Sequence, residues 1–89
     1  MIRKTIHFTG RVQGVGFRYT AQALARDFAV SGYVKNLPDG RVLLEVEGEP
    51  DEIDRFVDRV RAQMSGYVRN VESVDSAPTG EYKDFRVEH

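Results

Sequence analysis

The segment Tyr33-Val34-Lys35-Asn36-Leu37-Pro38-Asp39-Gly40-Arg41-Val42-Leu43-Leu44-Glu45-Val46-Glu47 lies at the middle of the chain and reads as a β-hairpin. Pro38-Asp39-Gly40 is a tight turn, because proline presets one backbone angle and glycine accepts the angles that other residues refuse. Arg41 to Glu47 is the clearest strand in the sequence. Val42, Leu44 and Val46 alternate with Leu43, Glu45 and Glu47, the period of two expected of a strand with one buried face. Tyr33 to Leu37 is its shorter partner.

Outward from the hairpin, the pattern on either side changes to a helical one. Upstream, Phe17, Ala21, Leu24, Ala25 and Phe28 fall on one apolar stripe. This helix is predicted to end near Ser31-Gly32, where glycine can take the left-handed conformation that terminates helices. Downstream, Pro50 suits a first helical position, where its missing N–H removes nothing. Ile53, Phe56, Val57, Val60 and Met64 make the second stripe, with Asp51, Glu52 and Asp54 at the positive end of the helix dipole and Arg59 and Arg61 toward the negative end. Asp51 and Arg55 are spaced to pair at i,i+4.

Strands lie beyond both helices. Ile2 to Val12 places Lys4, Ile6 and Phe8 on one face, buried by Ile6 and Phe8, and His7 on the other, as an ordinary sheet-face residue. Gly66 breaks the second helix. Val68, Val71 and Val74 then suggest a strand from Tyr67 to Ser76, bent because their spacing is three. Phe85 and Val87 share a face of a short last strand. The order is β-α-β-β-α-β with a further short strand. This is an α+β, ferredoxin-like split βαβ sandwich, with two helices on one face of a four- to five-stranded antiparallel sheet. With 89 residues, residues 1–89 are expected to form one domain.

Composition narrows the function. There is no cysteine, which removes disulfides, zinc fingers, iron–sulfur clusters and thiol catalysis. His7 and His89 are the only imidazoles and lie at opposite ends of the chain, so no multi-histidine metal site is expected, and no cofactor. Lys and Arg number 13 against 14 Asp and Glu, a balance that argues against bulk electrostatic attachment to nucleic acid. No apolar run approaches the ~20 residues of a membrane span, and Met1-Ile2-Arg3-Lys4-Thr5 lacks a signal peptide's apolar stretch. A cytoplasmic protein is expected.

The informative chemistry is in Gly10-Arg11-Val12-Gln13-Gly14-Val15-Gly16-Phe17-Arg18, where a strand gives way to a helix. The first N–H groups of a helix have no internal partner. With a glycine-bearing loop before them, successive N–H groups can curl into an anion nest. Arg18 adds a planar fork of donors that fits phosphate oxygens. The P-loop requires Gly-Lys-Ser/Thr, which is absent. The dinucleotide fingerprint requires a third glycine where Tyr19 stands.

This loop and the segment Gly32-Tyr33-Val34-Lys35-Asn36-Leu37-Pro38-Asp39-Gly40-Arg41-Val42, followed by Gly48, together resemble the acylphosphatase family. That family shows Gly-x-Val-Gln-Gly-Val-x-Phe-Arg, then Gly-aromatic-Val-x-Asn-x-x-x-Gly-x-Val, then a glycine after five more residues. Both patterns are met without a gap, and the resemblance covers essentially the whole chain. It implies metal-independent hydrolysis of the carboxyl–phosphate bond of acyl phosphates, giving a carboxylate and inorganic phosphate. It implies that Arg18 binds the phosphoryl group, that the backbone amides of Gln13, Gly14, Val15, Gly16, Phe17 and Arg18 form the cradle, and that Asn36 holds the attacking water. A monomer is the family expectation.

Elementary chemistry agrees with that implication. The leaving group is a carboxylate, whose acid has a pKa near ~4, so no general acid is required. Phosphoryl transfer passes through a loose transition state in which water needs little activation, so a neutral amide that only orients it suffices. Three rivals share parts of the pattern. Acylphosphatase-like domains also open larger carbamoyl-transfer proteins of hydrogenase maturation, where the ligand would be carbamoyl phosphate, or the site would serve binding only. RNA-recognition modules share the element order, but here the strand Arg41 to Glu47 has no aromatic residue and carries two acids. A small-molecule regulatory domain would not use the anion loop. Glu81, Lys83 and Asp84 are read as a solvated loop rather than a fringe of the pocket.

Overall fold

A computed structural model describes residues 1–89 in the order β1 (Ile2–Gly10), α1 (Phe17–Ala25), β2 (Val30–Asn36), β3 (Val42–Gly48), α2 (Pro50–Gln63), β4 (Val68–Ser76) and β5 (Phe85–Glu88). The strands form one sheet in the order β4-β1-β3-β2-β5. Both helices pack on the same face, and the ferredoxin-like sandwich read from the sequence is the observed fold. The central ladder pairs β1 with β3, Ile6 opposite Leu44, and β3 with β2, Val34 opposite Leu44. All of these pairs are antiparallel. The short last strand is the exception to a wholly antiparallel sheet, since β5 joins the edge parallel to β2. To reach that edge the chain leaves β4 at one side of the sheet and crosses to the other.

The core lies between the sheet and the helices. Ile6, Phe8, Val34, Val42, Leu44 and Val46 supply its floor, and Ala21, Ile53, Phe56 and Val60 its roof. Aromatic pairs bind the layers. Phe28 and Phe85 pack on Phe56 with ring centroids 5.9 and 5.3 Å away, each such pair contributing about 0.5–1.5 kcal/mol beyond its burial. Lys4 shares the helix-facing side of β1 with Ile6, yet its ammonium reaches out to Asp54 of α2 at 3.0 Å and Asp75 of β4 at 3.7 Å. Those contacts hold it above the usual lysine value against the opposing effect of desolvation.

Four local expectations are revised. First, α1 stops at Ala25, not near Ser31-Gly32. Ser31 and Gly32 are inside β2, and Gly32 is glycine for another reason. Its φ is +140°, and a Cβ would stand 1.9 Å from the Glu45 carbonyl oxygen across the ladder. Second, Arg55 pairs with Glu52 at i,i+3 rather than with Asp51. Glu52 is fixed there because its carboxylate also accepts the Ala29 N–H at 2.9 Å. Third, β1 ends at Gly10 and leaves Val12 to the loop. Fourth, the hairpin strands are shifted, with β2 beginning at Val30 and β3 running to Gly48. The bend expected in β4 is a register shift opposite Thr9/Gly10, which lets Val68 and Val71 both face the core despite their spacing of three. Val74 falls on the other face and is exposed.

The face away from the helices is not a plain solvated surface. Glu45 and Glu47 are 7% and 2% exposed there. Arg3 donates to Glu45 at 2.7 Å and lies 3.6 Å from Glu47. The crossing between β4 and β5 covers Glu47, whose carboxylate accepts the Thr79 N–H at 2.8 Å, the Thr79 hydroxyl at 2.7 Å and the Gly80 N–H at 3.0 Å. Tyr82 from the same crossing packs on Tyr33, with centroids 5.8 Å apart.

Candidate active site

The glycine loop spans the passage from β1 to α1 between two core anchors. Val12 and Phe17 are 0% and 2% exposed. The Phe17 ring tilts against Phe8 with centroids 4.9 Å apart, so the first residue of the helix is fixed to the strand that feeds it. Between the anchors, Gly14 and Gly16 both have φ +78°, with nothing within 4 Å of where a Cβ would stand. Glycine is thus required by the backbone, not by crowding. Gly16 is also the N-cap of α1 and supplies no side-chain cap, and the first turn carries no acid. The Thr20 N–H donates to the Gly16 carbonyl at 3.0 Å, so the amides of Phe17, Arg18 and Tyr19 precede the helical ladder. The amides from Gln13 to Gly16 donate to no backbone carbonyl.

These features open on a cavity of about 100 Å³ lined by Val12, Gly14, Gly16, Phe17, Arg18, Tyr19 and Asn36. The two residues singled out as catalytic, one on a helix and one at the end of β2, therefore share one small cavity. Gln13 and Val15, expected in the cradle through their amides, flank the cavity without lining it. Val15 packs against the core. Larger hollows exist, one of about 350 Å³ between α2 and β4, but Asp54 and Asp58 line it and no loop of free amides does.

Two polar groups of the cavity are distinctive. Asn36 Oδ1 is buried without a hydrogen-bond partner. Such an orphan costs about 1–3 kcal/mol, and a water or ligand donor would remove that cost. Arg18 takes part in no ion pair. Its Nη1 donates to the Glu88 carbonyl at 3.1 Å and lies 3.2 Å from His89 Nδ1. No carboxylate faces its charge, and its head rests on the end of β5.

Three contributions escaped the sequence reading. The Gln13 side chain donates to the carbonyls of Leu37 at 2.7 Å and Arg41 at 2.9 Å. It thereby ties the loop that presents Arg18 to the turn that follows Asn36. Glu88 and His89 brace Arg18 across 70 and 71 residues of chain, a separation that leaves no local signal. Tyr19 lines the cavity although its place in the pattern marked only an absent glycine. Glu81, Lys83 and Asp84 lie on the β4–β5 crossing and do not line the cavity. Asp84 accepts the Gly32 N–H through its carbonyl at 2.9 Å and pairs with Arg86 at 3.0 Å. No group of three or more Asp, Glu, His or Cys residues is placed to hold a metal ion.

Comparison with known proteins gives a consistent result. The family described as Acylphosphatase matches residues 4–87. An acylphosphatase from Archaeoglobus fulgidus is 44% identical over 88 residues, spanning 98% of both chains. The crystal structure of acylphosphatase from Bacillus subtilis aligns over 100% of both chains with a TM-score of 0.88 and 32% identity. Full-length HypF, crystallised in a phosphate- and nucleotide-bound form, contains a region similar to the whole of this chain. There the TM-score is 0.89 and the identity 30%, over 12% of HypF's length.

Proposed function

The chain belongs to the acylphosphatase family, and on that premise we propose how its own groups divide the reaction. The protein hydrolyses the carboxyl–phosphate bond of acyl phosphates to carboxylate and inorganic phosphate. The phosphoryl group occupies the cavity of about 100 Å³. Its equatorial oxygens meet the Arg18 guanidinium and the amides of the loop residues that line the cavity, Gly14, Gly16, Phe17 and Arg18. Fixed donors at these oxygens stabilise the charge that spreads over them in the transition state, at no cost in reorganisation. Arg18 turns from the end of β5 toward the oxygens, exchanging neutral acceptors for an anion, which strengthens its hydrogen bonds.

Asn36 holds the water. Its unpartnered Oδ1 is the observation that carries this assignment, because that oxygen can accept a hydrogen from water and so aim the lone pair of the water oxygen at phosphorus. The oxygen–phosphorus bond forms as the phosphorus–oxygen bond to the acyl group breaks. The electron pair departs on a carboxylate that needs no proton, and the water's proton passes to a phosphoryl oxygen or to solvent. The reaction asks for no metal and no cofactor.

A monomer goes with this reading as the family expectation, and sedimentation at 10.1 kDa is the check. A cytoplasmic location is the expectation that goes with this reading, and fractionation of the cells that make the protein is the check. A nucleic-acid role is disfavoured by the sheet face away from the helices, where Glu45 and Glu47 are buried and the β4–β5 crossing is fastened on Glu47. Carbamoyl phosphate is the second reading, as the ligand expected where a domain of this kind opens a larger carbamoyl-transfer protein, and relative rates on carbamoyl and acyl phosphates decide between them.

The central test is hydrolysis of benzoyl phosphate in the presence of a chelator, wild type beside Arg18→Gln. Turnover should persist under chelation and fall at least ~10²–10³-fold in the variant, the loss typical of a transition-state donor. Chelator-sensitive turnover, or a fully active variant, would refute the assignment.

A further inference from the structure

The cavity has room for a phosphoryl group and little else, so the acyl group must extend past its mouth. Of the lining residues, Gly14 and Gly16 have no side chain, and Val12 and Phe17 are sealed in the core at 0% and 2% exposure. Arg18 and Asn36 are engaged by phosphoryl and water on the reading above. That leaves Tyr19, which is 58% exposed. Single exposed aromatics are ordinary on a protein surface, but this one follows Arg18 in α1 and forms part of the cavity wall.

We propose that Tyr19 is the acyl-side specificity residue, its ring packing against the apolar face of the substrate and favouring aromatic acyl groups over small ones. The proposal rests on the placement of the phosphoryl group in this cavity. Tyr19 is largely exposed at 58%, so its contact with the acyl group belongs to substrate selection and not to the bond-breaking step. A flat acyl group such as benzoyl gains a ring–ring contact, whereas acetyl offers only a methyl group.

The test compares kcat/KM for benzoyl phosphate and acetyl phosphate in wild type, Tyr19→Ala and Tyr19→Phe, with the inhibition constant of inorganic phosphate measured in each. The benzoyl-to-acetyl ratio is expected to fall about threefold to tenfold in Tyr19→Ala, the range of an aromatic pair contact. Tyr19→Phe should retain the ratio, and the phosphate constant should not move. An unchanged ratio in Tyr19→Ala, or an equal loss on both substrates, would overturn the role of Tyr19 while phosphate inhibition still supports the cavity. Failure of phosphate to inhibit the wild type competitively would instead overturn the placement of the phosphoryl group, and the Tyr19 proposal with it.

Discussion

Asn36 closes β2, with its backbone paired to Val42 and its Oδ1 buried and unsatisfied. A folded protein tolerates such a group where water or a ligand supplies its partner. The consequences for stability and for activity differ. Asn36→Ala removes one hydrogen-bonding group at the end of a strand and should change the melting temperature little. The same change should cut kcat at least about tenfold while moving the phosphate inhibition constant less, because the contact it removes is, on the proposed assignment, to water and not to the phosphoryl group. Thermal melts and steady-state kinetics on one preparation check both, and strong loss of phosphate binding with intact turnover would contradict the role.

Between elements, the site depends on the relative position of two turns that are distant in sequence. The β1–α1 loop presents Arg18, and the β2–β3 turn follows Asn36. The Gln13 side chain spans them with two hydrogen bonds to the carbonyls of Leu37 and Arg41, while the Leu37 N–H closes the turn on the Arg41 carbonyl at 2.9 Å. A misplacement of about 1 Å between reacting groups can cost ~10²-fold in rate. Gln13→Ala should therefore lower kcat by about tenfold or more. Gln13→Glu should not rescue it, since a carboxylate cannot donate to either carbonyl. A loss confined to thermal stability, with kcat intact, would reduce Gln13 to a structural brace.

At the scale of the whole molecule, β4 and β5 occupy opposite edges of the sheet, and the crossing between them is fastened on Glu47. Burial pushes the Glu47 carboxyl up, but the Thr79 and Gly80 donors and the Arg3 charge outweigh it and hold the group below the ordinary 4.5. Because the folded value is depressed, the stabilisation is complete above 4.5 and fades as the pH falls through the folded value. Glu47→Gln should thus melt lower than wild type at pH 7, and the gap between them should narrow well below pH 4.5. Melts at several pH values test this; a gap that stays constant would place the effect elsewhere. The same fastening bears on function, because β5 ends beneath Arg18.

Periodicity and turn chemistry in the chain itself determined the element order and the core stripes, and the resemblance carried by two motifs pointed to the family and implied the pair Arg18 and Asn36. These are local properties, written in residues a few positions apart. The end of α1 was not legible, because Gly32 answers to a close approach of the Glu45 carbonyl across the ladder rather than to a helix terminus. The parallel docking of β5, the burial of Glu45 and Glu47, the Gln13 clamp and the brace of Glu88 and His89 on Arg18 were decided only by the tertiary structure. Each joins groups separated by tens of residues, and such contacts are set by which strands become neighbours, which no local pattern encodes.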